Sequence, residues 1–399
     1  MPSLAPLETP LVMQPSEVPA AAPAPLRSGR YQSLDLWRGA ACLMLVVYHS
    51  TFFVTTDLSL WDRSTWTLAD WAVKIAGLLW IGVPLFFVVS GYCIAASVDS
   101  VNRNGGTLRT YFARRVHRIY PPLWIALAWA VGVTLLISVL APTLYEACRP
   151  LPRWETWSLW NWLGNVTATE SWQHHVTGSE SHYLMNNTWT LCYEEQFYAV
   201  VGVFLLVAAR RLVLASLLLC GAILALRHAA RTLNVELTGV FFDGHWLLFA
   251  AGIVLHYQLT KASRLSWWSA LGLFVAGMFY AAVDRKLMAG NGRESHFDEY
   301  LFVSCGFALA LLALRRWDAT LVNAWLLQPV AWVGKRSYSI YLTHFPVVVA
   351  LACLLGMMGW SSPTEWLLVT LPLSLAASAA LGWAYFQLVE RRFLNAQPS

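Results

Sequence analysis

The chain has 399 residues, of which 57% are apolar and only 12% charged, about half the charge of an average soluble domain. Its formal net charge of +5 is spread along the sequence, which excludes the clustered basic surface of a nucleic-acid-binding protein. The 22 Trp, 18 Phe and 15 Tyr instead suit helix ends seated at a bilayer interface.

Residues 1–29 are rich in Pro and Ala and are expected to form a disordered tail. No apolar h-region precedes residue 34, so the first span is expected to act as its own targeting signal. From there, runs able to cross about 30 Å of hydrocarbon recur. They lie near 34–54, 71–97, 121–141, 189–209, 212–227, 240–259, 267–283, 299–314, 338–358 and 365–387. The expected fold class is all-α: a polytopic membrane protein of about ten transmembrane helices, with a membrane domain over 30–393 and a short tail over 394–399. The stretch 321–333 is too short to span and reads as an interfacial or re-entrant helix.

With the N-terminus placed inside, seventeen Lys and Arg fall in inner segments against nine in outer ones. The positive-inside rule then puts both termini in the cytoplasm. The longest connection, 142–188, faces outward and carries Trp154, Trp157, Trp160, Trp162 and Trp172. Such rings serve equally as a sugar-stacking surface or as an interfacial belt. His174, His175 and His182 lie there too, but no further ligand stands at a usual spacing, so no metal is expected. The seven Cys form no C-x-x-C and read as small packing residues. No internal repeat is evident, which disfavours a secondary transporter.

Ionisable side chains inside apolar runs are costly and point to function. In LDLWRGAACLMLVVYH (34–49), Arg38 and His49 are eleven residues apart, which returns them to within about 20° of one helix face. His49 is suited to take a proton from a hydroxyl, and Asp35 stands close enough in sequence to pair with Arg38. In RTYFARRVHRIYPPLW (109–124), Arg115 and Arg118 share a face just before a helix expected to start at the prolines. Their fork-shaped groups suit phosphates, and an ordinary positive-inside loop is the competing reading. In NNTWTLCYEEQFYAVV (186–201), Glu194 and Glu195 point about 100° apart, so one faces a cavity and the other serves elsewhere. In GKRSYSIYLTHFPV (334–347), Tyr338, Tyr341 and His344 crowd one helix end, with Tyr341 and His344 on one face. Ser90, Gly91 and Tyr92 offer small and polar atoms for packing or for a donor channel. Asp243 and His245 form a candidate polar pair.

These four motifs, in this order, resemble the acyltransferase-3 family of bacterial inner-membrane proteins that acylate glycans and related acceptors. The resemblance covers roughly 31–393. It matches Arg38 and His49 to the family's Arg-x10-His, Arg115 and Arg118 to R-x-x-R, and Glu194 to Tyr198 to E-E-Q-F-Y, the run opened by Trp189. It departs at Thr343, where Trp is common before the His, and at Arg392, which replaces the Pro of a closing Glu-x-Pro. WSLSVEEQF reads WTLCYEEQF here.

The resemblance implies transfer of an acyl group, acetyl above all, from a cytoplasmic acyl-CoA co-substrate to a hydroxyl of a glycan or lipid-linked saccharide, with no tightly bound cofactor. His49 is then base or transient acyl carrier, Arg38 positions the donor, and Arg115 and Arg118 hold its phosphates. Glu194 or Glu195 tunes His49 or orients the acceptor. The implied partners are the bilayer and polysaccharide-synthesis machinery. The twelve residues after the last span leave no room for the hydrolase-like domain that some members carry. A flippase for a lipid-linked sugar is the rival reading.

Overall fold

The computed structural model describes residues 31–54, 66–103, 105–208, 211–233, 244–261, 264–290 and 296–394. The 1–29 tail, Asp243 and all but the first residue of the closing tail lie outside them. Among the described residues every regular element is helical. In chain order they are α1 (Leu34–His49), α2 (Leu68–Gly77), α3 (Gly82–Arg103), α4 (Leu108–Leu140) and α5 (Pro142–Ala147). Then come α6 (Leu159–Thr167), α7 (Glu170–Thr177), α8 (Trp189–Ala208), α9 (Leu212–Thr232), α10 (His245–Lys261) and α11 (Arg264–Gly290). The chain closes with α12 (His296–Leu314), α13 (Asp318–Asn323), α14 (Gln328–Gly334), α15 (Ser337–Met357), α16 (Pro363–Glu365), α17 (Leu371–Tyr385) and α18 (Arg391–Leu394).

Helices occupy all ten apolar runs, and the chain is a polytopic helical membrane protein. Eight described helical segments are long and apolar enough to cross a bilayer. The two outside that set are α1, with 16 residues, and α10, with 17. Helix α10 is buried on every face, as a helix at the centre of a large bundle must be. It packs most extensively on α3, and glycines set the distance. A Cβ at Gly91 would lie 1.9 Å from the Phe249 carbonyl oxygen, and one at Gly252 would lie 2.0 Å from that of Val88. Small residues that let backbones touch are the usual adhesive between membrane helices. The same device joins α1 to α14, where a Cβ at Gly334 would lie 1.6 Å from the Asp35 carbonyl oxygen.

Two expectations about boundaries change. The run 71–97 is broken: α2 ends at Gly77, a 3-10 turn covers Leu79–Ile81, and α3 starts afresh at Gly82. Pro84 in the first turn of α3 explains the restart, since its missing N–H is costless there. Conversely, the helix expected to start at Pro121 and Pro122 begins at Leu108 and runs 33 residues through both prolines. Hydroxyls from neighbouring helices support this stretch. Tyr338 Oη donates to the Ile119 carbonyl at 2.9 Å, and Tyr385 Oη donates to that of Pro122. The basic residues therefore stand on the same rod as the span that follows.

The start of α1 is held from a distance. Both carboxylate oxygens of Asp318 accept from its leading backbone, Gln32 N at 2.6 Å and Ser33 N at 2.9 Å. Such acceptors satisfy N–H groups that a helix N-terminus leaves orphaned.

The 142–188 connection is built from α5 to α7 with inverted polarity. Leu159 and Trp160 are 72% and 54% exposed on α6, while Asn161 and Asn165 are buried. Glu170 lies at the centre, accepting from Asn161 Nδ2 (2.8 Å), Gln173 Nε2 (2.8 Å) and His182 N (2.7 Å). Burial lifts its pKa above the ordinary carboxylate value, and the bonds from His182 and Asn161 offset that only in part. Trp157 stacks on His182 with centroids 5.7 Å apart and meets Trp162 at 5.2 Å, so these tryptophans knit the connection together.

Candidate active site

A cavity of about 170 Å³ opens among α1, α3, α4, α8 and α15. Its polar lining comprises Arg38, Ser90, Cys93, Ser97, Arg115, Arg118, Thr190, Glu194, Tyr198, Ser337, Tyr338 and Tyr341. Five helices far apart in sequence thus converge their expensive side chains on one space.

Glu194 is the anionic centre. Its Oε1 accepts from Ser90 Oγ at 2.8 Å and from the Tyr198 hydroxyl one turn along α8. Glu195 points away from the cavity toward Tyr120, whose hydroxyl reaches it at 3.3 Å. The two adjacent carboxylates therefore face different surroundings, as the 100° step between neighbours dictates.

The cations are arranged differently. Arg115 lays its guanidinium over the rings of Tyr198 (4.4 Å) and Tyr111 (4.7 Å), and its buried Nε has no hydrogen-bond partner. Among the described residues, Arg38, Arg115 and Arg118 make no ion pair within 4.0 Å. Asp35 and Glu194 act on Arg38 only across a gap, so the expected Asp35–Arg38 contact is electrostatic and not a bonded pair. Three guanidinium groups around one cavity without direct carboxylate partners form a site complementary to an anion with several acceptor oxygens.

His49 and His344 lie beyond the cavity. The lining reaches Leu45 on α1 and Tyr341 on α15, one helical turn short of the two histidines. His49 Nδ1 stands 3.0 Å from His344 Nε2. Phe345 and Phe52 meet the His49 ring edge-on, at 5.0 and 5.4 Å between centroids. Between this pair and the cavity stands Tyr341. Its hydroxyl donates to the Asn187 carbonyl at 2.7 Å and lies 3.0 Å from Thr190 Oγ1. Tyr338 stacks nearly parallel to it, 6.4 Å away. Trp189 lies outside the lining, edge-on to His245 at 5.7 Å and to Tyr193 at 5.9 Å.

Two contributors escaped the reading from sequence. Asn187 donates to the Tyr341 carbonyl at 2.6 Å and so ties the end of the 142–188 connection to α15. Glu390 accepts from Ser339 N at 3.1 Å and from Ser339 Oγ, fixing the first turn of α15 beside Tyr338. The Glu of the closing Glu-x-Pro comparison was the available signal for Glu390; Asn187 had none. Among the described residues no group of His, Cys, Asp or Glu is arranged to hold a metal ion. The side chain of His174 lies outside the described residues.

A family model described as an acyltransferase domain matches residues 31–383. Among curated proteins, Bacillus subtilis YrhL, named provisionally as a peptidoglycan O-acetyltransferase, is 25% identical over 79% of this chain and 48% of its own length. The peptidoglycan O-acetyltransferase OatA of Listeria monocytogenes is 21% identical over 90% of this chain and 55% of its own. BcsY of Komagataeibacter xylinus, named provisionally as a membrane-bound transacylase, is 26% identical over 67% of this chain and 66% of its own. The chain thus spans about half the length of the first two relatives. No solved structure matches it.

Proposed function

The chain belongs to this acyltransferase family, and from that premise we propose that it moves an acyl group, acetyl in the first instance, from a cytoplasmic acyl-CoA to a hydroxyl of a glycan or lipid-linked saccharide. The observation that carries the reading is the cavity itself, with three unpaired guanidinium groups at its wall and a histidine pair one turn beyond its inner end. The reading places the protein in a bacterial inner membrane with its basic end inward, beside polysaccharide-synthesis machinery. The relatives named for peptidoglycan O-acetylation make an extracytoplasmic saccharide the natural acceptor.

Arg115 and Arg118 hold donor phosphates by charge-assisted hydrogen bonds. Arg38 steers the donor, and Glu194 limits the net positive charge where the pantetheine arm passes. The thioester reaches the turn of Leu45 and Tyr341, and the Tyr341 ring swings aside to admit it to His49. The imidazole takes the acceptor's hydroxyl proton as oxygen attacks the thioester carbon. The carbon–sulfur bond breaks, and the proton passes to the departing CoA thiolate, leaving an ester and free CoA thiol. General-base catalysis of this kind contributes about 10²–10⁴-fold.

The test is purified protein in nanodiscs with radiolabelled acetyl-CoA and saccharide acceptors from a cell-envelope extract. Transfer by wild type and a loss of about 10²-fold or more in His49→Ala is the expected result. Full transfer by a correctly inserted His49→Ala sinks the assignment of His49. No donor turnover by wild type sinks the enzyme reading.

A further inference from the structure

The two histidines differ in what their remaining nitrogens meet. His344 Nδ1 lies 2.9 Å from the Ile340 carbonyl oxygen and 3.0 Å from that of Tyr341. Carbonyl oxygens only accept, so this nitrogen carries a hydrogen. In a neutral ring His344 Nε2 is then a bare lone pair, and that lone pair faces His49 Nδ1 at 3.0 Å. His49 must supply the hydrogen between them. Its Nδ1 is therefore protonated, and its Nε2 holds the free lone pair. This holds whether or not His49 takes up a further proton, because any uptake occurs at Nε2.

We propose that His344 is a positioning residue: by accepting from His49 Nδ1–H it fixes the tautomer and ring plane of His49, so that Nε2 is the nitrogen that meets the acceptor hydroxyl or the acyl carbon. The inference rests on the reading of His49 as the reacting group. It gives His344 the part that a carboxylate plays in other histidine-centred sites, which is to orient the ring and set its tautomer. Among the described residues no carboxylate hydrogen-bonds to either ring, and the other neighbours of His49 are the rings of Tyr48, Phe52 and Phe345. The backbone of α15 is the anchor. The two carbonyls that hold His344 sit in the turn that Asn187 also grips. A neutral acceptor is also apt at this depth, since a buried carboxylate would itself need a partner.

The experiment combines tautomer-resolved NMR with kinetics. Protein labelled with ¹⁵N-histidine in lipid is compared between wild type, His344→Phe and His344→Gln, with His49→Ala used to assign the His49 signals. Phe keeps the volume and removes the acceptor, whereas the Gln side-chain carbonyl reaches the position of Nε2 and accepts in its place. Wild type and His344→Gln should show His49 as the Nδ1–H tautomer, and His344→Phe should shift it toward Nε2–H. In parallel, kcat should fall about 10- to 100-fold in His344→Phe with donor KM unchanged, and recover to within about threefold of wild type in His344→Gln. An unchanged tautomer and kcat in His344→Phe overturn the proposal. So does His344→Gln as inactive as His344→Phe with the tautomer preserved, which would make His344 a reacting group. Retained transfer by His49→Ala overturns the underlying reading instead, and the NMR comparison reports on the pair regardless.

Discussion

The bundle encloses two cavities, and the larger is the less informative. The space among α9, α10, α11 and α12 is about 280 Å³, against about 170 Å³ for the arginine-lined one. Its walls are Leu217, Leu224, Leu247, Phe274, Leu301 and similar side chains, with no charged residue. In a bilayer such a space meets nothing but acyl chains or its own packing defects, since lipid is as apolar as leucine. The smaller cavity carries three guanidinium groups and a carboxylate, each costly at that depth. The comparison teaches that within a membrane volume locates looseness, while misplaced charge locates chemistry.

Substitutions can break that contrast or sharpen it. Arg38→Ala should lower kcat/KM about 100-fold in the labelled-donor assay, as expected for losing two hydrogen bonds to a charged ligand. A loss under threefold would remove Arg38 from the donor path. Arg118→Lys keeps the charge but not the fork, and should raise donor KM about tenfold with kcat nearly unchanged. Glu194→Gln should reduce transfer about tenfold, while Glu195→Gln stays within about threefold. Equal effects would mean the facing of the two side chains is not what distinguishes them.

On the apolar side, Leu247→Ala enlarges the larger cavity and should lower stability by about 2–5 kcal/mol, read from thermal aggregation in detergent. Transfer per folded molecule should be untouched, and an activity loss beyond the unfolded fraction would make that cavity functional. The smallest effect concerns Glu170. Its folded pKa is raised, so the folded state gains relative stability as pH falls toward it and loses that gain as pH rises above the ordinary carboxylate value near 4.3. Glu170→Gln should therefore flatten the decline in melting temperature with rising pH, by a few degrees at most.

What could be read beforehand follows from how each feature is encoded. Arg38, His49, Glu194 and Glu195 stood out because a charge in an apolar run violates local expectation. The helices were legible for the same reason in reverse. Boundaries set by single prolines were not: Pro84 restarts a helix and Pro121 does not, and the difference lies in hydroxyls supplied by Tyr338 and Tyr385 from distant helices. The pairing of His49 with His344 spans 295 positions, and no spacing rule within one segment reaches that far. Asn187 was invisible because an amide near a helix start is the commonest of sights, and only the fold places it against Tyr341.

Helix α17 is flanked by two π-helical turns, Trp366–Thr370 and Phe386–Glu390, and the second ends on the residue that anchors α15. A π turn is an α-helix with one residue too many, and each accommodates an insertion without breaking the rod. Removing one residue from Phe386–Glu390 would restore ordinary pitch and rotate everything after it by about 100°. Glu390 would then leave Ser339, and the first turn of α15 would lose its anchor. The phase of this last span is thus held by one surplus amino acid, so a single-residue deletion there should be more damaging than most substitutions around it.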